Sequence, residues 1–281
     1  MARGAGVAVP GPLVALLGSG DRRAPGPGRC TVLPTAVRKF IDAEVAACPT
    51  DYSDLRAVYL NGTLKRSPEP SHTESLIAIS RHILDSLGVR TDLVRAVDHT
   101  IPPGVQPDMR VYGWETDDFP QLYRDLVEPA DIVVLASPIW LGDQSSMTRL
   151  LVERLYGWSG ELNDAGQWSY YGKVGGVLVT GNEDGAKHCS SQLLYALAHI
   201  GFTVPPQSDS YWVGEAGPGP SYLDDGAGAD NHWTTRNCVF ATWNMLHLAR
   251  MLKDAGGIPA YGNLSTNWDL SNSAHPNPEY R

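Results

Sequence analysis

The chain has only four cysteines in 281 residues, Cys30, Cys48, Cys189 and Cys238, and no two of them form a Cys-x-x-Cys pair. Zinc and iron–sulfur spacings are therefore missing, no metal site is expected, and the cysteines read as unpaired thiols of a cytoplasmic protein. Long apolar runs are absent as well. The stretch from Val7 to Leu17 is broken by Pro10, Gly11 and Pro12. It is too short to span a bilayer, and the prolines interrupt the hydrophobic region that an export signal behind Arg3 would need. Positive charge is scarce: 22 Lys+Arg against 31 Asp+Glu leave a net charge of -9. That balance opposes attraction to nucleic-acid phosphates and to anionic membrane surfaces, so neither is expected as a partner. Three motifs are also missing: the dinucleotide fingerprint Gly-x-Gly-x-x-Gly, a Walker phosphate loop, and the Gly-x-Ser-x-Gly elbow of hydrolases. His188 beside Cys189 reads as a helix-start histidine rather than a catalytic pair, and no catalytic side chain is assigned.

What is present is an ordinary globular composition, 42% hydrophobic and 19% charged, arranged as alternating strands and helices. Residues 1–34 are rich in Gly, Pro, Ala and Arg without periodicity and read as a disordered extension. A short helical lead-in occupies 35–54, with Val37, Phe40, Ile41, Val45 and Cys48 at helical spacing and Thr35 as its cap. The main domain runs from 55 to 257, followed by a tail from 258 to 281. Within it, strands are expected at Arg56 to Leu60, Val89 to Val97, Asp131 to Ala136, Val174 to Thr180 and Phe202 to Val204. Helices are expected from Ser71 to Leu87, Phe119 to Val127, Ser145 to Tyr156, Ala186 to Ile200 and Thr234 to Ala255. Such alternation predicts an α/β fold: a doubly wound five-stranded parallel sheet of order 2-1-3-4-5 with helices on both faces.

In an open parallel sheet, ligands bind beyond the carboxyl ends of the strands near the point where strand order reverses. Three loops lie there. The first, Asn61 to Thr73, runs from a strand end to a helix start, where free backbone N–H groups and the helix dipole favour an anion. Ser71 and Thr73 either donate to that anion or simply cap the helix. The second, Ser137 to Ser145, holds Trp140 and Gly142 just past a strand, which suits a flat heterocycle approached closely by backbone. The third, Thr180 to Gly185, is positioned to enclose the other edge of such a ring.

Three segments carry a resemblance: Asn61-Gly62-Thr63 with Ser71-His72-Thr73, then Ser137-Pro138-Ile139-Trp140-Leu141-Gly142, then Thr180-Gly181-Asn182-Glu183-Asp184-Gly185. Together they resemble the NADPH-dependent FMN reductase branch of the flavodoxin-like superfamily, over about Leu55 to Ala255. The resemblance implies FMN as cofactor and NAD(P)H as co-substrate. It implies that Thr63, Lys65, Ser71, His72 and Thr73 surround the FMN phosphate, and that the ring is lined by Pro138, Ile139, Trp140, Leu141, Gly142, Thr180, Gly181, Asn182, Glu183 and Gly185. A homo-oligomer is a further implication. Where family members commonly have Gly-Ser and a nearby Arg, this chain has Gly62-Thr63 followed by Lys65-Arg66 and a Pro-containing insert. The segment Gly214 to Asp224 looks like a subgroup feature and receives no role from the sequence.

A flavin accepts hydride on its own ring, which accounts for the missing triad. The leading expectation is an FMN-dependent NAD(P)H oxidoreductase that reduces a flavin, quinone or other small acceptor. An electron carrier of flavodoxin type and a flavin-free α/β binding module are the alternatives.

Overall fold

The computed structural model describes residues 33–217 and 219–264. The expected disordered extension therefore lies outside the described residues except for Leu33 and Pro34, and so does the tail beyond residue 264. Leu33 itself is buried in the core.

Five strands form the parallel sheet: β1 (Arg56–Asn61), β2 (Arg90–Arg95), β3 (Ile132–Trp140), β5 (Val174–Gly181) and β6 (Asp209–Val213), in the order β2-β1-β3-β5-β6. This is the 2-1-3-4-5 order of the flavodoxin-like fold. A two-residue strand, β4 (Asp143–Gln144), adds a sixth by folding back antiparallel on the end of β3. The expected fifth strand needs correcting. Thr203 makes only an isolated bridge to Val174, and the ladder resumes at Asp209 opposite Val177. Pro205 and Pro206 explain the gap, since neither has an N–H to give a ladder.

Side chains alternate between the two faces of the sheet, as strand geometry requires. Ala57, Tyr59, Ile132, Val134 and Leu178 pack under α1 (Thr35–Ala47), α2 (His72–Ser86) and α6 (His232–Asp254). Val58, Leu60, Val133, Leu135, Val177 and Val179 face α3 (Phe119–Leu122), α4 (Ser146–Trp158) and α5 (Ala186–His199). Each fully buried aliphatic or aromatic side chain contributes about 1.5–3 kcal/mol of transfer free energy, so the two apolar layers carry most of the stabilisation.

Local details differ from the sequence reading in instructive ways. Helix α1 begins at Thr35 but is preceded by Pro34 with no side-chain cap, and Phe40 is exposed while Ile41 is buried. The helix expected at Phe119 to Val127 divides into a short α-helix and a π-turn at Tyr123–Val127. Beside it, the fully buried Arg154 on α4 pairs with the equally buried Asp117 at 2.6 Å and lies over the Phe119 ring at 5.2 Å. Arg154 also donates to the Pro107 carbonyl at 3.0 Å, fastening the long connection between β2 and α3 to the sheet's helical layer.

Candidate functional site

At the carboxyl edge of β1, β3 and β5, the three loops and a fourth segment enclose a cleft of about 440 Å³. That volume is within the range of about 300–1,000 Å³ common for small-molecule sites.

The first loop is held rigidly. Gly62 lies so close to the start of α4 that a Cβ there would stand 1.9 Å from Thr148 Oγ1, and its carbonyl accepts a hydrogen bond from Ser145 Oγ at 2.8 Å. Thr63 N–H donates to Asn61 Oδ1 at 3.0 Å, and Thr63 Oγ1 accepts from the Lys65 amide at 3.2 Å. The Thr63 hydroxyl proton therefore stays free to donate outward. The Arg95 guanidinium, nearly buried, donates to the carbonyls of Lys65 at 2.9 Å and Glu69 at 2.7 Å and to the Glu74 carboxylate at 2.7 Å. Those bonds occupy two loop carbonyls and fix the loop to β2 and α2. The loop ends on α2, where Ser71 accepts the Glu74 amide at 3.3 Å as N-cap and the amides of His72 and Thr73 have no intrahelical acceptor.

The second and third loops touch one another. Leu141 (φ 53°) and Gly142 (φ 79°) make the tip of the β3–β4 hairpin. The Leu141 amide donates to Glu183 Oε1 at 2.8 Å. Gly185 packs against that tip so tightly that a Cβ would lie 2.3 Å from the Gly142 carbonyl oxygen, and its φ of 122° suits glycine alone. Loops one and three are joined by the hydroxyls of Thr73 and Thr180, 2.8 Å apart.

Eleven of the fifteen expected site residues line the cleft: Thr63, Lys65, His72, Thr73, Pro138, Ile139, Trp140, Thr180, Gly181, Asn182 and Glu183. Four do not. Ser71 is buried as the helix cap, Leu141 is 96% exposed at the hairpin tip, and Gly142 and Gly185 weld the two loops together behind the wall. Leu64, Trp212, Ala216, Gly217 and Tyr222, none of them among the expected site residues, also line it. The misplaced fifth strand left Trp212 outside the expected site; the alternation in Asp209-Ser210-Tyr211-Trp212-Val213 was the signal that it lies on a strand of the sheet.

The charged groups of the cleft lining are Lys65 and His72, beside the positive end of α2, and Glu183, which accepts from the Leu141 amide. Burial and the neighbouring Lys65 charge hold the His72 pKa below its ordinary value, opposed by Asp224. His188 and Cys189 do not line the cleft; His188 lies 3.6 Å from Asp143, and burial pushes the Cys189 thiol up to about 11.

The donor set suits a flavin phosphate, with hydroxyls, the unbonded amides that open α2 and Lys65 of the loop before it, and Ile139, Trp140, Trp212 and Tyr222 add apolar and aromatic lining that suits a planar ring. The family model for NADPH-dependent FMN reductase matches residues 55–216, which contain all three loops. The chain belongs to that family. The FMN reductase family has FMN as cofactor and NAD(P)H as co-substrate.

Two curated relatives and one solved structure refine the picture. The chain is 39% identical over 209 residues to 8-demethyl-8-aminoriboflavin-5'-phosphate synthase of Streptomyces davaonensis, covering 71% of this chain and 79% of that protein. It is 51% identical over 235 residues to a Mycobacterium bovis protein named divalent metal cation transporter MntH, covering 83% of this chain but only 34% of that protein. The chain thus spans about a third of that relative's length. Among the described residues no helix is long and apolar enough to cross a membrane, and no His, Cys, Asp and Glu cluster is placed to hold a metal ion. The crystal structure of RosB with bound 8-demethyl-8-formylriboflavin-5'-phosphate superposes with a TM-score of 0.68 at 34% identity, covering 79% of this chain and 88% of that one.

Proposed function

We propose that this FMN reductase family member binds FMN in the cleft, takes hydride from NAD(P)H and passes the electrons to a small acceptor, acting in the cytoplasm. One observation carries the reading: the start of α2, with its unbonded first amides, and Lys65 of the loop before it line the same cleft as Trp140, Trp212 and Tyr222. Thr63, Lys65, His72 and Thr73 would hold the phosphate, with Ser71 shaping the turn from behind. Pro138, Ile139, Trp140, Thr180, Gly181, Asn182 and Glu183 would line the ring, while Leu141, Gly142 and Gly185 keep the hairpin and third loop in contact. FMN bound there supplies the hydride-accepting ring. The chain's own part is to bind it, orient it and exclude water. The unpaired thiols of Cys48, Cys189 and Cys238 fit a reducing compartment.

A second reading has a specific observation behind it. The relative at 39% identity is named for making a modified flavin phosphate, and the RosB structure holds a flavin altered at its 8-position. In that reading the flavin phosphate is the molecule transformed rather than a resident cofactor. Incubation with FMN and NADPH, with acceptor present or absent, separates the two. Continuous NADPH oxidation with recovered flavin of unchanged mass supports the first, and flavin of altered mass supports the second. Absence of both would reject them together.

A further inference from the structure

The segment after β6 had no role from sequence, yet it forms a wall of the cleft through Ala216, Gly217 and Tyr222. It is tied down at three places. Gly214 N–H donates to the Gly181 carbonyl at 2.8 Å, extending the β5–β6 ladder. Asn182 Nδ2 donates to the Pro220 carbonyl at 2.8 Å. Farther along, the Leu223 amide donates to His72 Nδ1 at 3.2 Å. Between the last two ties, the buried Tyr222 packs edge-on against Trp212, with ring centroids 5.6 Å apart.

The bond from Leu223 decides the state of the imidazole. A backbone amide can only donate, so Nδ1 must offer a lone pair and a neutral ring carries its proton on Nε2. His72 also lines the cleft at the first residue of α2, where the phosphate would sit. We propose that His72 is a positioning residue with two duties: Nδ1 tethers the Gly214 to Leu223 strap, and Nε2–H is offered to an acceptor of the bound flavin phosphate. Ordering of the strap and binding of the ligand are thereby coupled, and the strap fixes how much of the slot stays open to a second substrate. The identity of the ligand rests on the function proposed above; the tether does not.

The test compares wild type, His72→Ala and His72→Asn by hydrogen exchange at Leu223, with the wild-type imidazole tautomer read from its 15N shifts. Asparagine keeps an acceptor near the place of Nδ1 and loses the reach of Nε2. Without flavin, exchange at Leu223 should rise about threefold to tenfold in His72→Ala and stay near wild type in His72→Asn. Adding FMN should slow strap exchange in wild type and have little effect in His72→Asn, which should also bind FMN more weakly. Unchanged Leu223 exchange in His72→Ala, or a proton on Nδ1, overturns the tether. Equal slowing by FMN in wild type and His72→Asn overturns the coupling. If wild type fails to bind FMN, the coupling and the flavin reading fall together, while the exchange comparison still decides the tether.

Discussion

The hydroxyls of Thr73 and Thr180 lie 2.8 Å apart, joining the first turn of α2 to the end of β5 across 107 residues of chain. Both line the cleft, so this bond fixes the spacing between the expected phosphate end and the expected ring end.

Thr73→Ala removes a donor to a charged group as well as that cross-link. A hydrogen bond to a charged partner contributes about 1.5–3 kcal/mol, so FMN affinity should fall about tenfold to a hundredfold. Riboflavin, which lacks the phosphate, should lose much less. Titration of both ligands checks this, and equal losses would move the phosphate away from α2.

Trp140 stands in the cleft wall at the end of β3. Its fluorescence should be quenched when FMN binds, and Trp140→Phe should show a smaller quenching amplitude at saturation. Trp140→Ala should weaken FMN binding through lost stacking, on the order of 0.5–1.5 kcal/mol beyond the buried area. Because Trp212 lies in the same cleft, the informative quantity is the difference in amplitude between wild type and Trp140→Phe. Identical amplitudes and affinities would place the ring elsewhere.

Much of this site was legible because local chemistry and tertiary position agree. Ser71 caps α2, Ser145 caps α4, and the apolar run from Ile132 onward could only be a buried strand. Reading failed where distant contacts decide. Pro205-Pro206 postponed the fifth strand to Asp209, which kept Trp212 off the expected sheet, and nothing local marks Tyr222 as buried against it. Ser71 was equally plausible as ligand donor or cap; it accepts the Glu74 amide as the cap of α2 and is not among the residues that line the cleft.

The Arg154–Asp117 pair gives a stability prediction. Both side chains are fully buried; the contact is made by Arg154 Nη2, while Nε and Nη1 have no hydrogen-bond partner. Asp117→Asn removes the carboxylate paired with the buried Arg154 guanidinium, at a cost of about 3–5 kcal/mol. Neither residue lines the cleft, so the folded variant should bind FMN as wild type does. Urea unfolding measures the first and flavin titration the second; a midpoint unchanged from wild type would show that the pair is solvated.

Acid should weaken the fold through His72. Its pKa is held below the ordinary 6.5, first by burial and then by Lys65, against the opposing pull of Asp224. The unfolded chain therefore takes up a proton before the folded one does. Stability tied to this group is complete above pH 6.5 and declines as the pH falls through that value toward the lower folded pKa. His72→Asn should flatten that part of the profile, and denaturation of both proteins between neutral pH and about pH 5.5 measures the difference. Parallel profiles would assign the acid sensitivity to other groups.

The most direct measurement of the proposed function is an anaerobic titration of the FMN-loaded protein with NADPH and, separately, NADH, followed through the visible absorption of the flavin. One FMN bound per chain, bleached by at least one of the two nucleotides and restored by a small acceptor such as a quinone, is the expected result. A protein that binds no FMN, or whose bound flavin neither nucleotide bleaches, would contradict it.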